Sequence, residues 1–113
     1  MSANIPRAGS LVAYCYASGH VLFAPFMPDW GALPIAWCKR GATSAQIKKF
    51  QSVVQAQCRL GYDGASYFVP GIPECWDDGV CNQEKALNTL LRFTRDVRKV
   101  LLRQKLVREE RPR

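Results

Sequence analysis

The stretch from Asn82 to Arg108 constrains the fold of this chain most, because it has the length and the apolar spacing of one long amphipathic helix. Its predicted buried stripe contains Leu87, Leu90, Leu91, Val97 and Leu101. An amphipathic helix needs a partner surface for its apolar side. The sequence therefore predicts a folded body against which this long basic C-terminal helix packs.

The same part of the chain holds the whole charge surplus. From Lys85 to Arg113 there are ten basic and three acidic residues, a net charge of +7, whereas the first 84 residues carry six of each. Such localised positive charge is typical of proteins that bind nucleic acid, an anionic membrane surface or an acidic protein face. It excludes a DNA mimic, which must be acidic. The cationic residues predicted to bind a partner are Arg92, Arg95, Arg98, Lys99 and Arg103.

The 113 residues, 48% of them hydrophobic, suffice for one core. We expect a single domain over 1–113, with a loose N-terminal lead-in at 1–9 and a frayed tail at 109–113. No apolar run reaches the roughly 18 residues of a membrane span, and the N-terminus is a poor secretion signal. These features predict a protein of a reducing cytoplasm without a membrane partner, whose five cysteines are free thiols.

Two strands are predicted near the N-terminus, over Leu11–Ala17 and His20–Ala24. Ser18–Gly19 between them fits a two-residue turn, since glycine takes positive φ without a Cβ penalty. This register pairs Tyr16 with Val21 and Tyr14 with Phe23. Both faces of the hairpin are apolar, so we expect both to be covered.

The segment from Pro25 to Gly31 is predicted to be an ordered loop, and its aromatic residues Phe26 and Trp30 are candidates for partner binding. Leu33–Trp37 follows as a predicted edge strand, because Pro34 lacks a donor for a sheet ladder.

A capping box of Thr43 and Gln46 predicts a helix over Ser44–Leu60 that stops at Gly61. Ala65–Val69 is a predicted fourth strand, and the final helix follows. The order β-β-β-α-β-α predicts an α+β fold in which an antiparallel sheet of about four strands carries two helices on one face.

The sequence shows no arrangement of residues that is typical of catalysis, metal binding or phosphate binding. Cys75 and Cys81 are spaced more widely than zinc ligands usually are. Cys15 and His20 share a face in the predicted register, but nothing orients the imidazole. Asp77–Asp78 is a loop pair that ordinary solvation explains, and phosphate-binding loops are absent. The sequence therefore predicts a protein without catalytic residues, metal or cofactor.

Direct nucleic-acid binding is a second hypothesis. The helix arginines could contact phosphates, and the strand tyrosines could stack on bases if their face of the sheet is open. The aromatic face is otherwise core or a protein interface, where tyrosine and tryptophan concentrate. A homodimer that buries this face is a further alternative.

Several short strings occur in an order that resembles one family. They are Ala17-Ser18-Gly19 at the hairpin turn, GALPIA over 31–36, GYDG over 61–64, VPGIPE over 69–74, and Gln83, Ala86, Leu87 and Phe93 in the closing helix. Across residues 12–93 the chain resembles small proteins of phages and other mobile elements that are labelled host-nuclease inhibitors. The loop 75–81 and the arginine-rich part after Phe93 depart from that pattern and look like additions.

The resemblance implies counter-defence, in which the protein binds a host nuclease or CRISPR effector and blocks it without chemistry. A basic inhibitor would occupy an acidic surface or compete near the nucleic-acid path, with electrostatics speeding the encounter. The alternative is a small nucleic-acid-binding accessory protein, whose salt-sensitive binding should weaken when Arg95, Arg98 and Arg103 are neutralised.

Overall fold

The computed structural model describes residues 6–16, 18–28, 31–61, 63–72 and 83–107. Over these residues the chain forms one antiparallel five-stranded sheet and two helices, so the predicted α+β class is confirmed. The elements are β1 (Leu11–Cys15), β2 (His20–Pro25), β3 (Leu33–Trp37), α1 (Ser44–Gln57), β4 (Arg59–Leu60), β5 (Tyr67–Phe68) and α2 (Gln83–Arg103). The strand order β3-β1-β2-β5-β4 confirms β3 as an edge strand.

Both helices pack on the same face of the sheet and close the main core there. Because the register between β1 and β3 shifts after Ala13, both Ile35 and Ala36 turn their side chains toward this core. Burial of apolar side chains from the strands and from both helices stabilises the contact between the two layers. The buried residues of the main core include Ala13, Cys15, Val21, Ile35, Ala36, Phe50, Val53, Val54, Val69, Leu90, Val97, Leu101 and Leu106.

The predicted register of the first hairpin is wrong by one residue. Cys15 pairs with Val21, and the Tyr16 N–H donates to the His20 carbonyl at 2.9 Å. A two-residue type I′ turn needs positive φ at both central positions, but of Ser18 and Gly19 only the glycine has it, at +88°. The turn is consequently one residue longer.

This slip changes which residues share a face. Tyr14 pairs with Leu22 instead of Phe23. Ala13, Cys15, Val21 and Phe23 face the helices, while Tyr14 and Tyr16 lie on the opposite face.

The N-terminus of α1 has the predicted capping box. The Gln46 N–H donates to the Thr43 hydroxyl at 3.2 Å, and the Thr43 N–H donates to the Gln46 side-chain oxygen at 2.9 Å. Each bond satisfies a backbone donor that the first turn of a helix leaves without a partner.

Replacing Thr43 by alanine should therefore lower the free energy of unfolding by about 1 kcal/mol, because one of these bonds is lost. Thermal and urea unfolding of the variant would measure the change. Ser44→Ala, one position later, removes a hydroxyl without touching the box and should be nearly neutral. Equal losses in the two variants would contradict the capping role of Thr43.

The end of α1 differs from the prediction. The helix ends at Gln57, and Cys58 caps it with extended backbone angles. Arg59 and Leu60 then pair with Phe68 and Tyr67, which makes them a strand and shortens the helix by three residues. The predicted fourth strand, Ala65–Val69, is correspondingly reduced to the two paired residues of β5.

The predicted apolar stripe of α2 is wrong in its first half. Leu87 and Leu91 are 50% and 54% exposed, whereas Leu90 is buried. At about 100° per residue, the buried stripe instead follows Leu90, Val97 and Leu101, with Ala86 and Phe93 packed beside it.

The second half of α2, which departs from the pattern of the resembled family, is also part of the fold. Val97 and Leu101 are fully buried. After the helix, Lys105 adopts left-handed φ of 58°, and the Leu106 N–H donates to the Leu101 carbonyl at 3.0 Å. This is a Schellman-type end, and it turns Leu106 into the core.

The chain after α2 is fastened to the segment that follows β3. The Lys39 N–H donates to the Leu106 carbonyl at 3.1 Å, and the Cys38 thiol donates to the same oxygen at 3.8 Å. The cationic half of α2 is thereby held at both its packed face and its end. The predicted lead-in at 1–9 is described only from Pro6, and the predicted tail at 109–113 lies outside the described residues.

Among the described residues, none of the helices combines the length and the apolar character that crossing a membrane requires.

Candidate partner-binding surface

Four of the predicted cationic residues lie together on the solvent side of α2. We call Arg92, Arg95, Lys99 and Arg103 the cationic row; all four are exposed. At 100° per residue they lie within about 80° of one another around the helix and opposite Val97. The fold therefore presents them together on one outer face, because the buried stripe fixes the rotation of the helix.

One acidic residue lies beside the row. The Arg95 Nε is 3.6 Å from a carboxylate oxygen of Asp96, and both side chains are more than half exposed. An exposed pair of this kind contributes little stability and exchanges readily with other partners. The row stays strongly cationic.

Arg98 is set apart from the other predicted cations. Its guanidinium lies 5.3 Å from the centre of the Trp37 ring, and the side chain is partly buried. A cation over an indole face at this distance is attracted by the ring quadrupole. Arg98 therefore helps to join α2 to the edge strand β3, a role that its place among the other arginines does not reveal.

The aromatic face of the sheet, opposite the helices, is largely covered by the chain itself. Val12, Tyr14 and Ala32 are buried there, with Phe26 and Trp37 partly buried against them. The Tyr14 hydroxyl accepts a 2.7 Å hydrogen bond from the Met27 N–H, which holds the loop after β2 over the ring. Phe26, predicted to bind a partner, thus contributes to this second cluster. Trp30 lies outside the described residues.

This arrangement reduces the room for base stacking. Tyr14 is 1% exposed, so its ring cannot receive a base. The His20 ring lies 5.3 Å from the ring of Phe68 and 6.2 Å from that of Tyr16. The strand aromatics therefore pack mainly against one another and do not form an open platform.

Two exposed leucines adjoin the cationic row and were missed as surface residues. Leu91 precedes Arg95 by four positions, and Leu87 precedes Leu91 by four, so the three side chains follow one another along the helix surface. A helical wheel whose buried side is centred on Val97 and Leu101, and not on the cluster of leucines at 87–91, would have predicted their exposure.

Among the described thiols, Cys15 and Cys38 are buried in the core and Cys58 is partly buried beside it. Cys15 lies on the helix-facing side of the hairpin and His20 on the other, so they cannot act as a catalytic pair. Burial raises the pKa of the Cys15 thiol to about 12, with a further contribution from Cys58, and burial raises the pKa of Cys58 to about 12. No group of three potential metal ligands occurs among the described residues; Cys75, Cys81 and Asp77–Asp78 lie outside them.

A thiol reagent should therefore react very slowly with the folded protein at pH 8 and fast with the unfolded chain. A variant with serine at positions 75 and 81 leaves only Cys15, Cys38 and Cys58 to be counted by absorbance. Fast labelling of the folded variant would contradict the burial of Cys15 and Cys38.

Because folding raises the pKa values of these thiols, the folded state holds their protons more tightly. Their contribution to stability should therefore be complete below about pH 9 and should be lost as pH rises toward 12.

Comparison with known proteins found no protein family, no curated protein and no solved structure that matches this chain. The resemblance to host-nuclease inhibitors therefore stays a prediction from the sequence. The surface of α2 has to be interpreted from its own chemistry.

Proposed function

We propose that this protein is a non-enzymatic inhibitor that binds an acidic face of a host defence nuclease or CRISPR effector through the cationic row of α2. The observation that supports this most is the row itself: four exposed cations on one side of a helix whose other side is buried along its length. Because the helix backbone is held at both halves, binding costs little ordering of the main chain.

A protein partner accounts for more of this surface than nucleic acid does. Phosphates would be neutralised by the row, but they offer nothing to Leu87 and Leu91. Protein interfaces combine apolar centres with arginine and polar rims. The largely covered aromatic face also leaves less room for the base stacking that the nucleic-acid alternative needs.

Plasmid interference in bacteria that carry defined CRISPR or restriction systems would test the proposal. Expression of the protein should restore transformation by a targeted plasmid in at least one system. A variant with Arg92→Glu, Arg95→Glu, Lys99→Glu and Arg103→Glu should lose this protection, since reversed charge repels an acidic face.

The chain offers a matched control for the charge reversal. Lys39→Glu, Arg40→Glu, Lys48→Glu and Lys49→Glu reverse four exposed cations on other elements and produce the same net charge. This control should keep its protection. Equal loss in both variants, or no protection in any system of the panel, would count against the proposal.

Nucleic-acid binding through the same cations is the second candidate, favoured by the exposed arginines of the row. It predicts binding to duplex DNA or RNA that weakens steeply with salt, and that weakens stepwise when Arg95, Lys99 and Arg103 are neutralised. Absence of binding at low salt would exclude it.

A further inference from the structure

The cationic row and the exposed leucines of α2 share one continuous line of side chains. We call Leu87, Leu91, Arg95, Lys99 and Arg103 the α2 ridge, in which each residue follows the previous one by four positions. All five are exposed. Side chains four apart form a ridge inclined by about 26° to the helix axis. This ridge is about 24 Å long, apolar at its N-terminal end and cationic at its C-terminal end.

From this geometry we infer that the α2 ridge docks a helical segment of a partner protein that is apolar at one end and acidic at the other. The inference rests on the proposed function and specifies its partner. Ridges of this spacing fit into the grooves of a second helix. Two apolar side chains facing Leu87 and Leu91, with carboxylates facing the three cations, would complement every member of the ridge.

A second copy of this chain does not fit the ridge. A two-fold axis at its middle would place Arg95 against the Arg95 of the other copy and each leucine against a lysine or arginine. A parallel copy in register would place cation against cation. Like charges at such distances oppose association. The complementary occupant is therefore an unlike, acidic chain.

Nucleic acid fits only the cationic end. A phosphate backbone can neutralise Arg95, Lys99 and Arg103, but it leaves Leu87 and Leu91 in water. Those two side chains therefore distinguish a protein occupant from a nucleic acid, because removing them affects only a partner that buries them.

The test uses the full chain and a synthetic probe. The probe is a peptide held helical by staples on its far side, with two leucines and three glutamates at four-residue spacing. A scrambled peptide of the same composition and a short DNA duplex serve as comparisons. Fluorescence anisotropy at low and at physiological salt would measure the affinity of each probe.

Two variants divide the ridge. The double substitution Leu87→Ser and Leu91→Ser should lower the affinity for the unscrambled peptide by about tenfold or more, since this peptide buries the two leucines. The affinity for DNA should stay unchanged. The triple substitution Arg95→Gln, Lys99→Gln and Arg103→Gln should lower the affinity for both the peptide and the DNA. The controls are Leu60→Ser, an exposed leucine of β4, and Lys39→Gln, Lys48→Gln and Lys49→Gln.

Each other outcome overturns the inference. These outcomes are no peptide binding, equal binding of the scrambled peptide, tighter binding of DNA, or an unchanged affinity in the leucine variant. Failure here remains distinct from failure of the proposed function. If plasmid protection survives the leucine substitutions but not the charge reversal, the function stands without the ridge. If the peptide binds as expected but no defence system is inhibited, the ridge stands without the function.

Discussion

Replacement of Leu101 by alanine should lower the free energy of unfolding by about 2–5 kcal/mol. The side chain is fully buried in the main core, close to the end of α2. Its removal takes away apolar burial and leaves a cavity that the surrounding side chains fill only in part. Urea unfolding followed by far-UV circular dichroism would measure the loss, with an unchanged slope showing that the unfolded state is the same.

Leu91→Ala is the matched control, because it makes the same chemical change in the same helix. Leu91 is 54% exposed, so its loss should change stability by no more than about 0.5 kcal/mol. The contrast tests whether the second half of α2 is core. Comparable losses at the two positions would mean that the second half is not packed as the structure has it.

Gly61→Ala should destabilise the protein by about 1–3 kcal/mol, for lack of space and not because of backbone angles. A Cβ at this position would lie 2.6 Å from the Phe68 ring and 3.0 Å from the Ser66 Cβ. The Gly61 N–H also donates to the Ser66 carbonyl at 2.6 Å, so the two segments cannot separate without straining that bond. Thermal and urea unfolding would report the loss.

Gly31→Ala is the control for this prediction, because a Cβ there would meet nothing within 4 Å. It should be neutral or slightly stabilising, since alanine restricts the unfolded chain. A Gly61→Ala protein as stable as the Gly31→Ala protein would show that Phe68 can move away at little cost. In that case the close approach of β4 and β5 would not depend on glycine.

Local signals in the sequence predicted the elements well. The Thr43 and Gln46 pair marks the start of α1, and Pro34 correctly assigns β3 to an edge. These features act within a few residues of one another, so the chemistry of the segment decides them.

The incorrect predictions concern features that are determined by tertiary packing. The sequence predicts Gly61 as a helix terminator, but α1 ends at Gln57 and a Cβ at Gly61 would lie 2.6 Å from the Phe68 ring. Leu90 and Leu91 are alike in sequence, and contact with the sheet determines which of them is buried. The hairpin register depended on whether Ser18 takes positive φ, which a Ser-Gly pair does not decide.

The candidate surface was predicted in part. The net charge and its position identified Arg92, Arg95, Lys99 and Arg103, which the fold places on one side. Arg98 could not be distinguished from them, because its contact with Trp37 joins residues far apart in the chain. The partial burial of Phe26 could not be predicted either, because its surroundings depend on the hydrogen bond from the Met27 N–H to the Tyr14 hydroxyl.

The attachment of Leu106 to the segment after β3 has a consequence for synthesis. The Cys38 thiol and the Leu106 carbonyl are 68 residues apart in the chain, and both belong to the main core or its border. On a ribosome, the sheet residues emerge well before Leu90, Val97 and Leu101 can cover them. The part of the sheet's apolar face that α2 covers therefore stays exposed until Leu90, Val97 and Leu101 have been made, and the final fold forms only after that.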